Sequence, residues 1–159
     1  MSPEIKVSFI IPVYNQLKYT IDCLNDIVLQ TKISYEIIVV DNNSTDGTED
    51  FIKGFEHKIT YIKNESNLGF AKAVNQGIQS AAGKYCLLIN NDVRIYEDIA
   101  DKLTAVLKTD DSIGISGIRY VLNKSDNEYF DINFVSGSCM CFNKKIIELV
   151  KKLRKEMGL

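Results

Sequence analysis

The sequence predicts an α/β fold, with a mostly parallel central sheet and helices on both faces. Apolar runs rich in β-branched residues recur along the chain, and segments with apolar residues at helical spacing separate them. The first run, VSFIIPV at 7–13, is almost continuously apolar, which is typical of a strand buried on both faces. Strands that alternate with helices form a parallel sheet, because each helix carries the chain back to the same end of the sheet.

The predicted elements follow from these runs and stripes. The predicted strands span residues 7–13, 35–40, 59–62, 85–89 and 113–118. The first predicted helix is capped by Asn15 and carries the apolar stripe Leu17, Ile21, Leu24 and Val28. Further helices are predicted at 48–55, from Phe70 to near Gly83, and over 99–107.

The pattern is weaker after residue 118. It predicts a polar turn at 123–127, short strands at 129–135 and 138–142, and a basic amphipathic helix from Asn143 onward. No repeat or interdomain linker interrupts the chain, and its length suits one domain. We therefore expect a single domain over residues 1–159.

Composition restricts the class of protein. Of the 159 residues, 45% are apolar and 25% are charged, as in ordinary globular proteins. The formal net charge of −2 provides no bulk attraction to nucleic acid, so no nucleic-acid partner is expected. The 4 cysteines form no C-x-x-C pair and the chain has 1 histidine, so reduced thiols in a cytoplasmic protein are expected rather than a zinc site. No signal peptide is expected, and no apolar stretch approaches the ~20 residues that cross a bilayer.

Polar clusters follow the predicted strands at the edge of the sheet where ligands bind in folds of this kind. In an open parallel sheet, ligands bind beyond the carboxyl ends of the strands. The clusters are Tyr14-Asn15, 41–44, 64–69 and 90–92. We expect them to meet in one site.

Asp41 stands directly after the second predicted strand and has two interpretations. Its carboxylate can accept a hydrogen bond from the N–H of a pyrimidine base, or it can simply belong to the turn that follows. Asp46 and Gly47 are better assigned to structure, because Asp46 with Glu49 three residues later has the form of a capping box.

Asn90-Asn91-Asp92 after the strand at 85–89 also has two interpretations. Asn and Asp tolerate left-handed backbone, so these residues can form only a tight turn. Alternatively, Asp92 supplies a carboxylate to Mg²⁺ or Mn²⁺ and leaves positions open for a diphosphate. The predicted helix that starts near Gly69 points its N-terminus toward the same edge, with Lys72 in its first turn.

Several common sites are excluded by spacing. No G-x-G-x-x-G follows the first strand, and no P-loop precedes Lys84. A calcium loop counted from Asp41 would need glycine where Asp46 stands and glutamate where Ile52 stands. A Ser-His-Asp site would depend on His57, which lies away from the predicted ligand edge.

The last predicted helix is basic on one face and apolar on another. Its cationic residues are Lys144, Lys145, Lys151, Lys152, Arg154 and Lys155, and its apolar stripe is Ile146, Val150, Leu153 and Met157. Packing of the stripe on the sheet is the first expectation, and peripheral binding to anionic lipid at the inner face of the membrane is the alternative.

Five segments in order resemble the family 2 inverting glycosyltransferases, which have the Rossmann-like GT-A fold. The segments are SFIIPVYN, YEIIVVDNNSTDGT, NLGFAKAVNQGI, AAGKYCLLINND and FVSGSCMCF, and the likeness covers residues 7–142. It implies transfer of a sugar from a nucleoside-diphosphate sugar, a UDP- or dTDP-sugar, to a glycan or lipid-linked acceptor. A divalent metal is implied as cofactor.

The resemblance also implies roles for particular residues. Residues 12–14 correspond to the stretch that lines the base pocket, and Asp41 corresponds to the aspartate that binds the pyrimidine. Residues 90–92 take the place of the D-x-D motif, so Asp92 is the expected metal ligand. Residues 135–137 match a segment near the donor sugar and the acceptor. Together with the polar clusters, this predicts substrate binding by Pro12, Val13, Tyr14, Asn15, Asp41, Asn43, Asn67, Lys72, Asn90, Asn91 and Gly137.

The chain departs from the family pattern at two places. Asn90 stands where an aspartate is usual, and this variant is similar to that of rhamnosyl or related transferases of polysaccharide synthesis. The acidic motif that supplies the general base in the family has no counterpart, since Glu156 lies within the basic helix. We therefore expect donor binding with poor transfer. A non-catalytic nucleotide-binding module that needs a partner is the alternative, and a nucleotidyltransferase is disfavoured because no glycine-rich loop follows the first strand.

Overall fold

A computed structural model describes residues 5–118 and 137–157, which contain six strands and five helices, and strand and helix alternate as far as residue 117. The strands are β1 (Val7–Val13), β2 (Tyr35–Asp41), β3 (Ile59–Lys63), β4 (Tyr85–Ile89), β5 (Ile115–Gly117) and β6 (Cys139–Asn143). The helices are α1 (Leu17–Gln30), α2 (Thr48–Lys53), α3 (Phe70–Ser80), α4 (Ile99–Thr109) and α5 (Lys145–Glu156). Within these ranges, no helix combines the length and the apolar character needed to cross a membrane.

The six strands form one sheet in the order β3-β2-β1-β4-β6-β5. β1 pairs in parallel with both β2 and β4, and β2 pairs in parallel with β3. The last two strands are antiparallel: β6 to β4, and β5 to β6. The predicted mostly parallel sheet is thus confirmed, and the direction of strand order reverses between β1 and β4. In open α/β sheets a ligand crevice forms at this point, beyond the carboxyl ends of the two strands.

Two apolar layers cover the sheet. Alternate residues of β1 point to opposite faces, so Phe9 and Ile11 pack with α1 and α4 residues, whereas Ile10 packs with residues of α3. The α3 helix lies very close to β1, because a Cβ atom at Gly77 would be 2.4 Å from Ile10 Cγ2. Helices therefore cover both faces, as the sequence predicts, and they hold the strand ends in fixed positions.

The four cysteines are all buried and free. Burial raises the pKa of Cys139 and of Cys141 to about 12 each, and that of Cys86 to about 11. Thiols with such pKa values stay protonated at neutral pH, so these side chains behave as small apolar groups.

Several predicted boundaries differ from the structure. The second helix ends at Lys53 rather than at residue 55, and the fifth strand covers Ile115–Gly117 rather than 113–118. The prediction that the apolar stripe of the last helix packs on the sheet is wrong for most of α5. Ile147 packs on the α3 side of the core, but no residue of α5 is fully buried. The turn predicted at 123–127 and the strand predicted at 129–135 lie outside the described residues.

Candidate functional site

The loops that follow β1 and β2 are joined by reciprocal hydrogen bonds. The backbone N–H of Asn15 donates to Ser44 Oγ at 2.7 Å, and the backbone N–H of Thr45 donates to Asn15 Oδ1 at 2.9 Å. The predicted capping of α1 by Asn15 is therefore wrong: its side chain is used across the loops. Asp46 takes over that role, since its Oδ2 accepts from the backbone N–H of Leu17 at 2.7 Å.

These two loops also contain all the described non-glycine residues with positive φ. Asn15, Gln16 and Asn43 have φ of 56°, 63° and 69°. Asparagine enters this region more readily than most residues, but it still costs free energy that the surrounding bonds must offset. The backbone at this edge of the sheet is thus held in a specific, uncommon shape.

Asp46 stabilises helix starts, which is the structural role that the sequence predicts, but its hydrogen-bond partners differ from those of a capping box. Besides Leu17, it accepts from the hydroxyl of Thr48 at 2.6 Å, in the first turn of α2. Glu49, which was expected to complete a capping box, instead pairs with Lys53 at 2.7 Å and with Lys63. Asp46 therefore links the starts of α1 and α2.

Asp41 is fully buried at the end of β2, and both of its carboxylate oxygens are engaged. Ser44 donates its backbone N–H to Oδ1 at 2.8 Å, and the Tyr61 hydroxyl donates to Oδ2 at 2.6 Å. Burial and the bond to Asp41 both raise the pKa of Tyr61. Because Asp41 is 0% exposed, a ligand N–H reaches its carboxylate only after a neighbouring group moves. The sequence does not identify Tyr61, because strand register pairs Tyr61 with Val39 and pairs Asp41 with Lys63, so the hydroxyl reaches Asp41 diagonally.

Replacing Tyr61 with phenylalanine is expected to destabilise the protein by about 1–3 kcal/mol, because a buried carboxylate oxygen loses its donor. Urea unfolding of Tyr61→Phe measures this change. Tyr35→Phe is the matched control, because Tyr35 is also a partly buried strand tyrosine and its ring packs edge-on to Phe9 at 5.7 Å. Equal effects of the two variants would show that the hydroxyl of Tyr61 contributes nothing particular.

An amide network fixes the next part of the edge. Asn64 donates to Asn42 Oδ1 at 2.9 Å and to Gln76 Oε1 at 3.0 Å, and Gln76 donates back to Asn64 Oδ1 at 2.8 Å. The ends of β2 and β3 are thereby joined to α3. Asn67 accepts from the backbone N–H of Gly69 at 2.9 Å, so it shapes the approach to α3, and Lys72 is exposed on that helix.

The residues after β4 form a turn beside the start of β6. The backbone N–H of Val93 donates to the carbonyl of Asn90 at 3.2 Å, which closes a four-residue turn with Asn91 and Asp92 at its centre. The backbone N–H of Asn90 donates to the Ser138 carbonyl at 2.9 Å, so Gly137 is next to this turn in space. Asp92 is exposed.

The side chain of Asn90 has an unpaired oxygen that could be a ligand for a metal ion. Its side-chain oxygen Oδ1 is buried. Among the buried side-chain oxygen and nitrogen atoms of residues 5–118 and 137–157, this atom alone has no hydrogen-bond partner. A buried oxygen left unpaired costs free energy unless a ligand or ion satisfies it. Asn90 and Asp92 together offer amide and carboxylate oxygens, which suit Mg²⁺ or Mn²⁺ with water and phosphate as further ligands. No group of three or more His, Cys, Asp or Glu in the described part of the chain could hold an ion alone.

The segment after this turn is held to α1 by an ion pair that the sequence analysis missed. Asp26 is 8% exposed and accepts from Arg94 Nε at 2.6 Å and from the backbone N–H of Ile95 at 3.0 Å. The hydrogen bond from Arg94 is the main cause that lowers the pKa of Asp26. The sequence carries little signal for this pair, because Asp26 lies on the side of the predicted helix opposite to the stripe of Leu17, Ile21, Leu24 and Val28.

The remaining residues predicted to bind substrate differ in how far their side chains are exposed. Pro12 and Val13 are buried in β1, where Val13 pairs in register with Asp41. Tyr14 is 52% exposed beside them, and Asn43 is half-buried. The structure therefore gathers the predicted residues along the carboxyl edge of the sheet, with Asp41 enclosed. Residues 135 and 136 lie outside the described part.

The fold is the GT-A fold seen in solved glycosyltransferase structures. The mannosyltransferase PcManGT from Pyrobaculum calidifontis, in complex with GDP-Man and Mn²⁺, superposes with a TM-score of 0.77 at 21% identity, over 94% of this chain and 47% of that one. Staphylococcus aureus TarS 1–349 in complex with UDP-GlcNAc has a TM-score of 0.73 at 23% identity, over 92% of this chain and 48% of that one.

The glycosyl transferase family 2 model matches residues 8–155, and the chain belongs to that family. Glycosyltransferase GlyG of Streptococcus pneumoniae serotype 4 is 28% identical over 145 residues, which are 89% of this chain and 48% of that protein. Glycosyltransferase GlyA of the same organism is 33% identical over 129 residues, which are 79% of this chain and 18% of that protein. The chain thus spans about half or less of the length of these relatives.

Proposed function

We propose that this chain binds a nucleoside-diphosphate sugar and a divalent cation at the carboxyl edge of its sheet, as the donor site of a glycosyltransferase. The observation that carries the proposal is the turn after β4, in which Asn90 has an unpaired buried oxygen and Asp92, two residues later, is exposed. This turn lies where strand order reverses between β1 and β4, the usual place for a ligand in such a sheet.

The division of roles follows from the residues at this edge. Asp92 and Asn90 would hold Mg²⁺ or Mn²⁺, and the bound ion would supply Lewis-acid stabilisation of the leaving diphosphate. The loops after β1 and β2, which carry Tyr14, Asn15 and Asn43, would surround the nucleoside, and Lys72 adds positive charge near the start of α3. Asn67 shapes the same approach, and Gly137 lies beside the turn. The favoured donor is a UDP- or dTDP-sugar of the rhamnosyl type, transferred with inversion to a glycan or lipid-linked acceptor in polysaccharide synthesis.

Transfer to the acceptor needs a general base, and the two acidic side chains described after β6 are each paired with a lysine. Glu148 and Glu156 both lie on α5, where each is within 4.0 Å of a lysine, Lys151 at 3.1 Å and Lys152 at 3.9 Å. Both side chains are more than half exposed. This observation keeps a second candidate open, a nucleotide-binding module that depends on another polypeptide segment for catalysis.

Thermal unfolding with UDP, dTDP, GDP and NAD, each with and without Mn²⁺, tests the proposal. A ligand present at about 100 times its Kd and bound only by the folded state stabilises by about 2.7 kcal/mol. For a domain of this size, that corresponds to a shift of roughly 5–11 °C. A Mn²⁺-dependent shift with UDP or dTDP supports the donor site, whereas no shift with any nucleotide overturns it. Transfer of the sugar to an acceptor by this chain would exclude the non-catalytic nucleotide-binding module.

We also propose that α5 contacts an anionic membrane surface at the cytoplasmic face. The apolar residues Leu149, Val150 and Leu153 of α5, and Met157 directly after it, are between 46% and 70% exposed. Cationic residues flank this stripe, and amphipathic helices of this composition lie in the headgroup region of anionic bilayers. The cationic side chains and the exposed apolar stripe together form the proposed membrane-binding surface.

Sedimentation with vesicles of phosphatidylcholine, with and without phosphatidylglycerol, measures this contact. Each cationic side chain near an anionic surface is worth about 1 kcal/mol, so Arg154→Gln with Lys155→Gln should weaken partitioning roughly 30-fold. The control pair Lys18→Gln with Lys58→Gln removes the same charge from exposed positions outside α5. Equal losses in the two pairs, or no preference for anionic vesicles, would exclude α5 as the contact surface.

A further inference from the structure

Three residues on one face of α1 each contact the segment that follows β4. Thr20, Cys23 and Asp26 are spaced three apart, so they form a row along the helix. Asn91 Nδ2 donates to Thr20 Oγ1 at 3.0 Å, and the Cys23 thiol donates to the carbonyl of Asn90 at 3.8 Å. The row therefore lies against the turn at its beginning and its centre.

Asp26 completes the row with the strongest contact. It accepts from Arg94 at two nitrogens, Nε at 2.6 Å and Nη2 at 3.2 Å. Its Oδ2 also accepts from the Ile95 backbone N–H at 3.0 Å. Charge-assisted bonds with this forked geometry fix orientation as well as distance. Arg94 also lies 3.8 Å from the Asp22 carboxylate and packs on the Tyr96 ring at 5.9 Å from its centroid.

Asp92 lies between these contacts along the chain. Asn91 is bonded to α1 just before it, and Arg94 and Ile95 are bonded to α1 just after it. Asp92 is exposed, and no hydrogen bond or ion pair described for residues 5–118 or 137–157 involves it. Its direction therefore depends on how tightly the residues on either side are held.

We propose that Asp26, Arg94 and Thr20 are positioning residues that set the direction of Asp92 toward the cation and diphosphate. This inference rests on the proposed function, because it assigns α1 a role in that site. Residues that orient a metal ligand through hydrogen bonds commonly change metal affinity 10- to 100-fold when they are replaced. α1 then acts as a rigid support for the metal-binding turn.

Mn²⁺ titration of the UDP-saturated protein, followed by electron paramagnetic resonance, tests the inference. Asp26→Asn and Arg94→Met are each expected to raise the Kd for Mn²⁺ about tenfold. The Kd for UDP without metal should change less than twofold. Arg94→Lys keeps the charge and loses the fork, so about a threefold increase in the Kd for Mn²⁺ is expected. Thr20→Val, which keeps the shape and removes the acceptor, should change the Kd in the same direction.

Glu97→Gln is the control in the same segment, because it breaks the exposed ion pair of Glu97 with Lys102 at 2.5 Å and leaves the contacts to α1 intact. Its Kd for Mn²⁺ should equal that of the unmodified protein. Hydrogen exchange of the Ile95 amide in metal-free protein provides a second readout, and faster exchange is expected in Asp26→Asn and Arg94→Met. If Asp26→Asn fails to fold, Arg94→Lys and Thr20→Val decide the question.

The outcomes separate the two proposals. Unchanged Mn²⁺ affinity in folded Arg94→Lys, Arg94→Met and Thr20→Val overturns the positioning role, while leaving the donor site intact. An equal loss in Glu97→Gln also overturns it, because any disturbance of the segment would then suffice. Absence of Mn²⁺ and nucleotide binding in the unmodified protein overturns the proposed function and this inference together.

Discussion

Replacing Asp92 with alanine is expected to remove the Mn²⁺-dependent part of nucleotide stabilisation, a loss of roughly 5–11 °C in the unfolding temperature at saturating ligand. Asp92 is the exposed carboxylate of the turn after β4, and among the described residues the other ligand assigned to the proposed site is the amide oxygen of Asn90. A hard cation with one protein carboxylate fewer loses most of its affinity. Thermal unfolding of the variant with UDP or dTDP, with and without Mn²⁺, measures the effect.

The stability of Asp92→Ala without ligand should change by less than about 0.5 kcal/mol, since an exposed side chain of this kind contributes little to folding. Asp111→Ala is the matched control, because Asp111 is likewise exposed in a turn but lies after α4. A full Mn²⁺-dependent shift in Asp92→Ala would show that another group holds the cation. A diminished shift in Asp111→Ala would point to a general effect of charge.

Replacing Gly83 with alanine is expected to destabilise the protein by about 3 kcal/mol, through overpacking against the central strand. A Cβ atom at this position would be 2.7 Å from Ser8 Oγ, 2.8 Å from Ser8 N and 2.9 Å from the carbonyl carbon of Val7. Two of these atoms are backbone of β1, which is paired on both sides and cannot yield. The expected fall in unfolding temperature is roughly 6–12 °C.

Gly54→Ala is the control for this substitution. Gly54 ends α2, and the nearest atoms to its Cβ position are 3.5 Å and 3.8 Å away, which is ordinary contact. Its unfolding free energy should change by about 0.5 kcal/mol at most. If the unfolding temperature of Gly83→Ala is within about 2 °C of that of the unmodified protein, the loss of stability is far below about 3 kcal/mol. The segment before β4 must then be able to move away from β1.

The sheet was largely predictable because its strands are buried on both faces. Runs such as 7–13 and 85–89 match β1 and β4 at both ends, since a strand covered on two sides must be apolar throughout. The antiparallel pairing of β6 with β4 was not predictable from periodicity, because direction depends on the connection rather than on the strand. The position of the polar clusters at one edge followed from the parallel strands.

The contacts within the site were harder to predict, because they join residues far apart in the chain. Asn15 has the residue type of a helix cap, yet Asp46, which is 29 residues beyond Leu17, accepts the first N–H of α1. Asp26 and Arg94 are 68 residues apart, and only packing of α1 beside β4 brings them together. Local patterns identify residues that favour turns and caps, but tertiary structure decides which partner each one takes.

The reciprocal bonds between the loops after β1 and β2 restrict how this protein can be re-engineered or diversified. Asn15, Ser44 and Asp46 form a matched set, with partners contributed by each loop to the other. A chimera that imports only one loop from a relative would leave donors or acceptors of the other without counterparts. If these loops surround the nucleoside as proposed, donor preference should be transferred between relatives only when both loops are exchanged together, although α1 and β2 separate them in the sequence.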